Sequence, residues 1–171
     1  MATRTIRSGK SGKFTTVTPT SRRVSPAPAA PRRYLIDNSV WARLSTEPVV
    51  VAALKAVVDL EHPDDVLVCA PIALEVGFSA RTGDGHSILT KQLTAFAECS
   101  KHPSADDVLQ VQNKLWSGGL LRAAGAMDTL IAAYAIKNEA TLLHYDRDFE
   151  HIAAVMPAFQ HQWVVPRGSI S

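Results

Sequence analysis

An α/β fold, with a parallel sheet covered by helices on both faces, is predicted by three features of this sequence. Four short apolar runs have the length of strands, and the segments between them carry apolar residues at helical spacing. Strands that alternate with helices in this way build parallel sheets, because parallel neighbours need a helix-sized crossover. The third feature is size: 171 residues, 46% hydrophobic and 20% charged, suit one domain with an ordinary core.

The first run, Tyr34 to Asp37, reads as a buried strand with Asp37 at its C-terminal end, followed by the turn formers Asn38 and Ser39. Val40, Trp41 and Leu44 share one face of a short helix. Pro48 suits the first position of the next helix, with Val51, Leu54, Val58 and Ala52 turned inward. A second strand at 66–70 leads into a helix opened by Pro71 and running through Ile72, Leu74, Glu75, Val76 and Phe78. Residues 86–99 and 104–116 read as two further helices; the second starts with Ser104 and Asp107 at capping-box spacing and stops at Gly118 and Gly119. Met127, Leu130, Ile131, Tyr134 and Ala135 form a helical stripe from Ala126 onward, with Asp128 in its first turn. A third strand at 141–145 is followed by a turn from Asp146 to Asp148, and a fourth at 163–165 ends at Pro166. No internal repeat is present.

No stretch approaches the roughly 18 uninterrupted apolar residues of a membrane span. Two cysteines, Cys69 and Cys99, fall short of a disulfide framework or a four-ligand zinc site, and no Cys-x-x-Cys pair exists. The chain therefore reads as a reduced, cytoplasmic protein without membrane association. Its net charge of +2 conceals an asymmetry: residues 1–33 carry eight Lys and Arg and no acid, whereas 10 basic side chains face 16 acidic ones from Tyr34 onward. The first 33 residues are rich in Ser, Thr, Pro and Arg and lack an apolar period, so they cannot bury enough surface to offset their ordering entropy. They are predicted to be a disordered basic extension, with the folded domain at 34–171. A transit peptide, a phosphate-binding arm and a plain solvated extension all share such a composition.

In an open parallel sheet, ligands bind at the carboxyl ends of strands near the point where strand order reverses. Asp37 ends the first strand, Asp146 follows the third, Glu75 lies one turn into the helix after the second, and Asp128 opens a helix pointing at the same edge. These acids are too far apart in sequence to be a local charge cluster, yet the predicted fold brings them together. Crowded carboxylates raise one another's pKa values or hold a cation. An all-oxygen set suits Mg²⁺ or Mn²⁺, and such a cation lets an acidic surface accept a phosphodiester and activates water. RNA or DNA hydrolysis is the leading expectation.

The blocks "YLIDNSVWARL" at 34–44, "ALEVG" at 73–77, "DTLIAAYAI" at 128–136 and "LLHYDRDFEHIA" at 142–153 together resemble the PIN-domain ribonucleases, and among them the VapC toxins of toxin–antitoxin pairs. The resemblance spans about residues 34–165 and implies a three-layer α/β/α sandwich, a Mg²⁺ or Mn²⁺ site, and endoribonuclease activity on tRNA, rRNA or mRNA that leaves 5′-phosphate and 3′-hydroxyl ends. It also implies a small VapB-type antitoxin and a homodimer. Carried over by position, the family's acids fall on Asp37, Glu75, Asp128 and Asp146, with a hydroxyl at Ser39; Asp148 is the alternative fourth acid, and Arg147 sits between the two.

Each acid also has a plainer role. Asp37 and Asp128 suit turn or cap positions, and Glu75 can face water. His144 and His151 flank the last acidic turn and read as structural. Cys69 reads as a small core residue, and Trp41 and Trp116 as packing residues. Arg81, Arg122 and Arg147 are candidates for phosphate contacts. Two rival functions are a non-catalytic RNA- or protein-binding scaffold of the same fold and a carboxylate-metal phosphoesterase; no Asp-x-Asp pair follows the first strand to support an aspartyl-phosphate route.

Overall fold

A computed structural model describes residues 32–58 and 65–170. The described elements are β1 (Arg33–Ile36), α1 (Asn38–Trp41), α2 (Pro48–Val57), β2 (Val66–Val68), α3 (Ala70–Phe78), α4 (Gly83–Leu93), β3 (Ala97–Glu98), α5 (Ala105–Ser117), α6 (Ala126–Lys137), β4 (Ala140–His144), α7 (Asp148–Val155) and β5 (Gln160–Trp163). The strands form one parallel sheet in the order β3-β2-β1-β4-β5. From β1 the chain builds outward to β2 and β3, then crosses back and builds outward on the other side to β4 and β5. Strand order reverses beside β1, and the crevice of such a sheet opens there, beyond the carboxyl ends of the strands.

Alternation along the central strands supplies two cores. Leu35 and Leu142 face one side, where Ile72 and Val76 of α3, Val111 and Leu115 of α5, Ile131 of α6 and Phe149 of α7 cover them. Tyr34, Ile36 and Leu143 face the other side, against Val40 of α1, Val50 and Leu54 of α2, and Val164 and Val165 after β5. Both faces of β1 and β4 are therefore dry, as the central strands of a parallel sheet must be, and the expected three-layer α/β/α sandwich is the observed architecture. Among the described residues no helix is long and apolar enough to cross a membrane, and Cys69 and Cys99 are buried free thiols.

Several boundaries depart from the sequence reading. The helix expected over 86–99 begins at Gly83, capped by Thr82 accepting from the Gly85 amide at 3.0 Å, and gives way to the edge strand β3, whose two residues are both exposed. A strand of two solvated residues leaves no burial pattern to read. At the opposite edge, β5 is Gln160–Trp163 rather than 163–165. The Val164 amide still donates to the His144 carbonyl at 2.9 Å, continuing the β4–β5 ladder by one bond, and the side chains of Val164 and Val165 fill the second core. Helix α7 was not anticipated, although Phe149 and Ile152 are its buried face. On α2 it is Val50 and Leu54 that are buried, with Val51 half-buried and Ala52 exposed. The expected extension at 1–33 lies outside the described residues except for Arg32 and Arg33, and Arg33 already pairs with Ala140 in the sheet.

The capping box of α5 is present, Ser104 and Asp107 exchanging hydrogen bonds, and Lys137 of α6 adds an ion pair to Asp107. The junction between α6 and β4 is tied by Asn138, which is buried at the C-cap of α6. Its Nδ2 donates to the carbonyls of Lys101 at 2.8 Å and Tyr134 at 2.9 Å, and its Oδ1 accepts from the Lys101 amide at 3.1 Å. Asn138→Ala removes all three bonds and is predicted to cost about 2 kcal/mol, or roughly 4–8 °C in Tm for a domain of this size. Thermal denaturation checks this, and an unchanged Tm would show that the junction does not depend on the side chain.

Candidate active site

Asp37 follows the last residue of β1 and is the N-cap of α1, with extended backbone and only 4% exposure. Its amide donates to the Leu143 carbonyl at 2.9 Å, continuing the β1–β4 ladder by one bond. Its Oδ2 accepts from the Ser39 amide at 2.7 Å. Ser39 in turn accepts, through Oγ, from the Tyr145 amide at 2.9 Å, so one residue joins the start of α1 to the end of β4. Burial raises the Asp37 pKa and the Asp146 charge adds to the rise, while the bonds from Ser39 oppose it.

Glu75 lies on α3, whose buried residues are Pro71, Ile72 and Val76. Desolvation pushes its carboxyl up to about 7, and the charges of Asp37, Asp128 and Asp146 push the same way. Asp128 sits in the first turn of α6 and folds back so that Oδ2 accepts from the Gly125 amide at 2.9 Å. Desolvation raises its pKa to about 6 against the pull of that bond, with Asp146, Asp148 and Asp37 contributing. A Cβ at position 125 would stand 2.9 Å from Asp128 Oδ2, so any larger residue there would have to displace the Asp128 carboxylate from this arrangement. Asp146, beyond β4, accepts from the Asp148 amide through Oδ1 at 3.0 Å and thereby starts α7.

All four predicted acids therefore share one neighbourhood at the carboxyl edge of the sheet. Asp148 belongs to it as well. Burial and the Asp146 charge raise its pKa, with His151 and Arg147 opposing. Asp146 acts on Asp37, Glu75 and Asp128, whereas Asp148 acts on Asp128 among those three. Arg147 is exposed at the N-cap of α7. Among the described residues no ion pair neutralises Asp37, Glu75, Asp128 or Asp146. The donor set is hard oxygen throughout, and each hydrogen-bonded carboxylate of the four spends one oxygen on it, which suits a divalent cation with several oxygen ligands. As they stand, the carboxylates interact at electrostatic range: among the described residues, no group of three is gathered as a closed metal-binding cluster.

The other residues singled out in the sequence meet different outcomes. Trp41 packs on Phe96 with ring centroids 5.9 Å apart and donates from Nε1 to the Ile36 carbonyl at 3.0 Å, whereas Trp116 is half exposed rather than packed, because it lies on the outer face of α5. His144 is fully buried, and burial together with His161 pushes its imidazole down to about 4. Arg81 lines a separate cleft of about 990 Å³ whose apolar walls include Trp41, Leu44, Leu54, Ile88 and Phe96 and no acid of the site. Arg122 is exposed, with a positive φ of 57°. Two residues at the site went unread in the sequence, Gly125 and His161. A glycine three residues before an acid at the head of an apolar helical stripe is a usable signal for the first; the second has none.

The PIN-domain family model matches residues 34–155. Ribonuclease VapC51 of Mycobacterium tuberculosis is 37% identical over 144 residues, covering 81% of this chain and 97% of that protein. Ribonuclease VapC2 of the same species is 34% identical over 128 residues, covering 72% and 87%. Among solved structures, VapBC2 from Rickettsia felis bound to a DNA fragment from their promoter is similar in fold, with a TM-score of 0.56 at 14% identity over 75% of this chain and 96% of that one.

The raised carboxyls make stability depend on pH. A carboxyl whose pKa is higher in the folded state takes up protons on folding, so its contribution is lost as pH rises from the unfolded value to the folded one. For Glu75 that window runs from 4.5 to about 7. Glu75→Gln cannot ionise and is predicted to raise Tm at about pH 8 in chelator, with the gain vanishing below about pH 4.5. The His144 contribution has the opposite sign, being lost as pH falls from 6.5 towards about 4. It is common to both proteins and cancels in the difference. A Tm difference independent of pH would contradict the repulsion.

Proposed function

This chain belongs to the PIN-domain family and is of the VapC type, and from that premise we propose that it is a divalent-metal-dependent endoribonuclease, the toxin of a toxin–antitoxin pair. The observation that carries the reading is the gathering of Asp37, Glu75, Asp128 and Asp146 from four separate elements at the switch point of the sheet, with no ion pair among the described residues to neutralise them. The curated relatives named as ribonucleases support RNA as the substrate.

The four acids would hold Mg²⁺ or Mn²⁺, with Asp148 beside them. When bound, the cation supplies charge neutralisation for the scissile phosphate and activation of water, so that hydrolysis leaves 5′-phosphate and 3′-hydroxyl ends. The protein's own part is orientation. The Ser39 amide and side chain hold the Asp37 carboxylate, the Gly125 amide holds one oxygen of Asp128 and the Asp148 amide one of Asp146, which orients each carboxylate toward a ligand. The Glu75 carboxylate makes no hydrogen bond among the described residues, so both of its oxygens are open to a ligand. Arg147, exposed between Asp146 and Asp148, offers a cation to a phosphate on the substrate side. The partners are a small VapB-type antitoxin and a second copy of the chain. The apolar cleft between α1, α2 and α4 has the shape and lining to take an amphipathic helix of such an antitoxin.

Purified protein is predicted to cut total cellular RNA into discrete fragments with Mg²⁺ or Mn²⁺ and not with chelator. Asp37→Asn, Glu75→Gln and Asp128→Asn should each lower the rate at least about 100-fold. A hundredfold excess of Mn²⁺ over its Kd should stabilise the parent by about 2.7 kcal/mol and leave Asp128→Asn almost unmoved. Cleavage that persists in chelator, or equally in the three variants, would overturn the proposal.

A further inference from the structure

His144 ends β4 and is fully buried, with the rings of Phe149, Trp163 and His161 around it at centroid distances of 5.0, 5.0 and 5.1 Å. Both of its ring nitrogens are engaged. Nδ1 lies 3.1 Å from the main-chain nitrogen of Asp146, and Nε2 lies 2.8 Å from Nδ1 of His161 on β5. His161 is itself stacked on Phe159, with an interplanar angle of 8°.

These contacts fix the protons. A main-chain N–H only donates, so His144 Nδ1 carries no hydrogen. Complete burial among aromatic rings keeps the imidazole neutral, and its one hydrogen must therefore sit on Nε2. That N–H donates to His161, whose Nδ1 is in turn bare and whose hydrogen is on Nε2. No other arrangement of two neutral rings satisfies both contacts. If His161 donated from Nδ1, His144 would have to move its hydrogen to Nδ1, against the Asp146 amide.

The Asp146 amide belongs to the turn that carries the fourth acid out of β4. The turn is held at three points: Ser39 Oγ accepts from the Tyr145 amide, the His144 ring accepts from the Asp146 amide, and Asp146 Oδ1 accepts from the Asp148 amide. The middle hold exists only in one tautomer of His144, and His161 selects that tautomer.

We propose that His161 is a positioning residue of the acidic site: by accepting from His144 it fixes the tautomer that anchors the Asp146 main chain, and so sets where the Asp146 carboxylate stands among Asp37, Glu75 and Asp128. The functional consequence rests on the ribonuclease reading, whereas the hydrogen-bond chain does not. Partners that orient a metal-binding carboxylate are typically worth about 10–100-fold in affinity or activity.

Two variants separate positioning from packing. His161→Phe keeps a stacked ring and removes the acceptor, and His161→Asn places an acceptor oxygen near the position of Nδ1. Nitrogen NMR of labelled imidazoles in the full-length, metal-free protein should find hydrogen on Nε2 of both histidines. In His161→Phe the His144 tautomer should become mixed and the Asp146 amide should exchange at least about tenfold faster, while the Leu142 and Leu143 amides of β4 keep their protection. RNA cleavage should fall about 10–100-fold, and His161→Asn should restore tautomer, protection and rate together. A parent His144 with hydrogen on Nδ1 overturns the proposal. So does a His161→Phe protein that keeps Asp146 protection or full cleavage, or that loosens all three amides alike. Should the parent not cleave RNA at all, the ribonuclease reading fails on that result, and the tautomer and exchange data still decide whether His161 positions Asp146.

Discussion

The pairing of β1 with β4 places everything else at the site. Leu35 sits opposite Leu142 and Ile36 opposite Leu143, and the ladder runs on through the Asp37 amide to the Leu143 carbonyl. A slip of β4 by one residue would turn Leu142 into the core that holds Ile36 and Leu143 into the core that holds Leu35. These side chains are fully or almost fully buried, each representing about 1.5–3 kcal/mol of burial, so the register is enforced from both faces. Asp37 and the Asp146 turn then leave the sheet at the same level and on adjacent strands. Glu75 and Asp128 join them because α3 and α6 lie on the same side of the sheet, held by Ile72, Val76 and Ile131 against Leu35 and Leu142.

The fold accepts a local cost for this arrangement. Asp37, Glu75 and Asp128 all have raised pKa values with desolvation as the largest cause. The opposing forces are hydrogen bonds rather than cations, from the Ser39 side chain and amide for Asp37 and from the Gly125 amide for Asp128. Glu75 has neither, and its carboxyl is pushed up to about 7, above the value of about 6 for Asp128. Asp107 shows what the same kind of group does elsewhere in the molecule. At the head of α5, Lys137 and Ser104 hold it down to about 2. The difference lies in burial and in the neighbours: Asp37, Glu75 and Asp128 are desolvated, and the charges that act on them are those of other acids.

How much of this was readable from residues alone depends on burial. The strands carrying Asp37 and Asp146 and the helices carrying Glu75 and Asp128 have apolar residues in register with a core, and those patterns locate the acids. The sheet edges have no such pattern. Ala97 and Glu98 of β3 are exposed, and so are Gln160 and Gln162 of β5. The same gap hid His161, since its contact with His144 depends on β4–β5 register and the expected fourth strand, 163–165, starts beyond it. Sequence adjacency could not separate Asp146 from Asp148 as the fourth acid. At the sheet edge Asp146 acts on Asp37, Glu75 and Asp128, whereas Asp148 acts on Asp128 among those three and is itself acted on by Asp146.

Local roles explain a polar residue at three of the four positions. Asp37 caps α1, Asp128 holds the Gly125 amide and Asp146 holds the amide that opens α7. Such roles do not explain why the residues are carboxylates. An N-cap or turn acceptor is served equally well by Asn or Ser, neither of which ionises, and a capping acid gains nothing from other acids beside it. At this edge each added carboxylate raises the cost of ionising the rest. Glu75 has no cap to make and still adds its charge. A set of groups that are individually useful as acceptors and collectively unfavourable as anions is what the proposed cation-dependent function would account for, and capping alone leaves that collective cost without a reason.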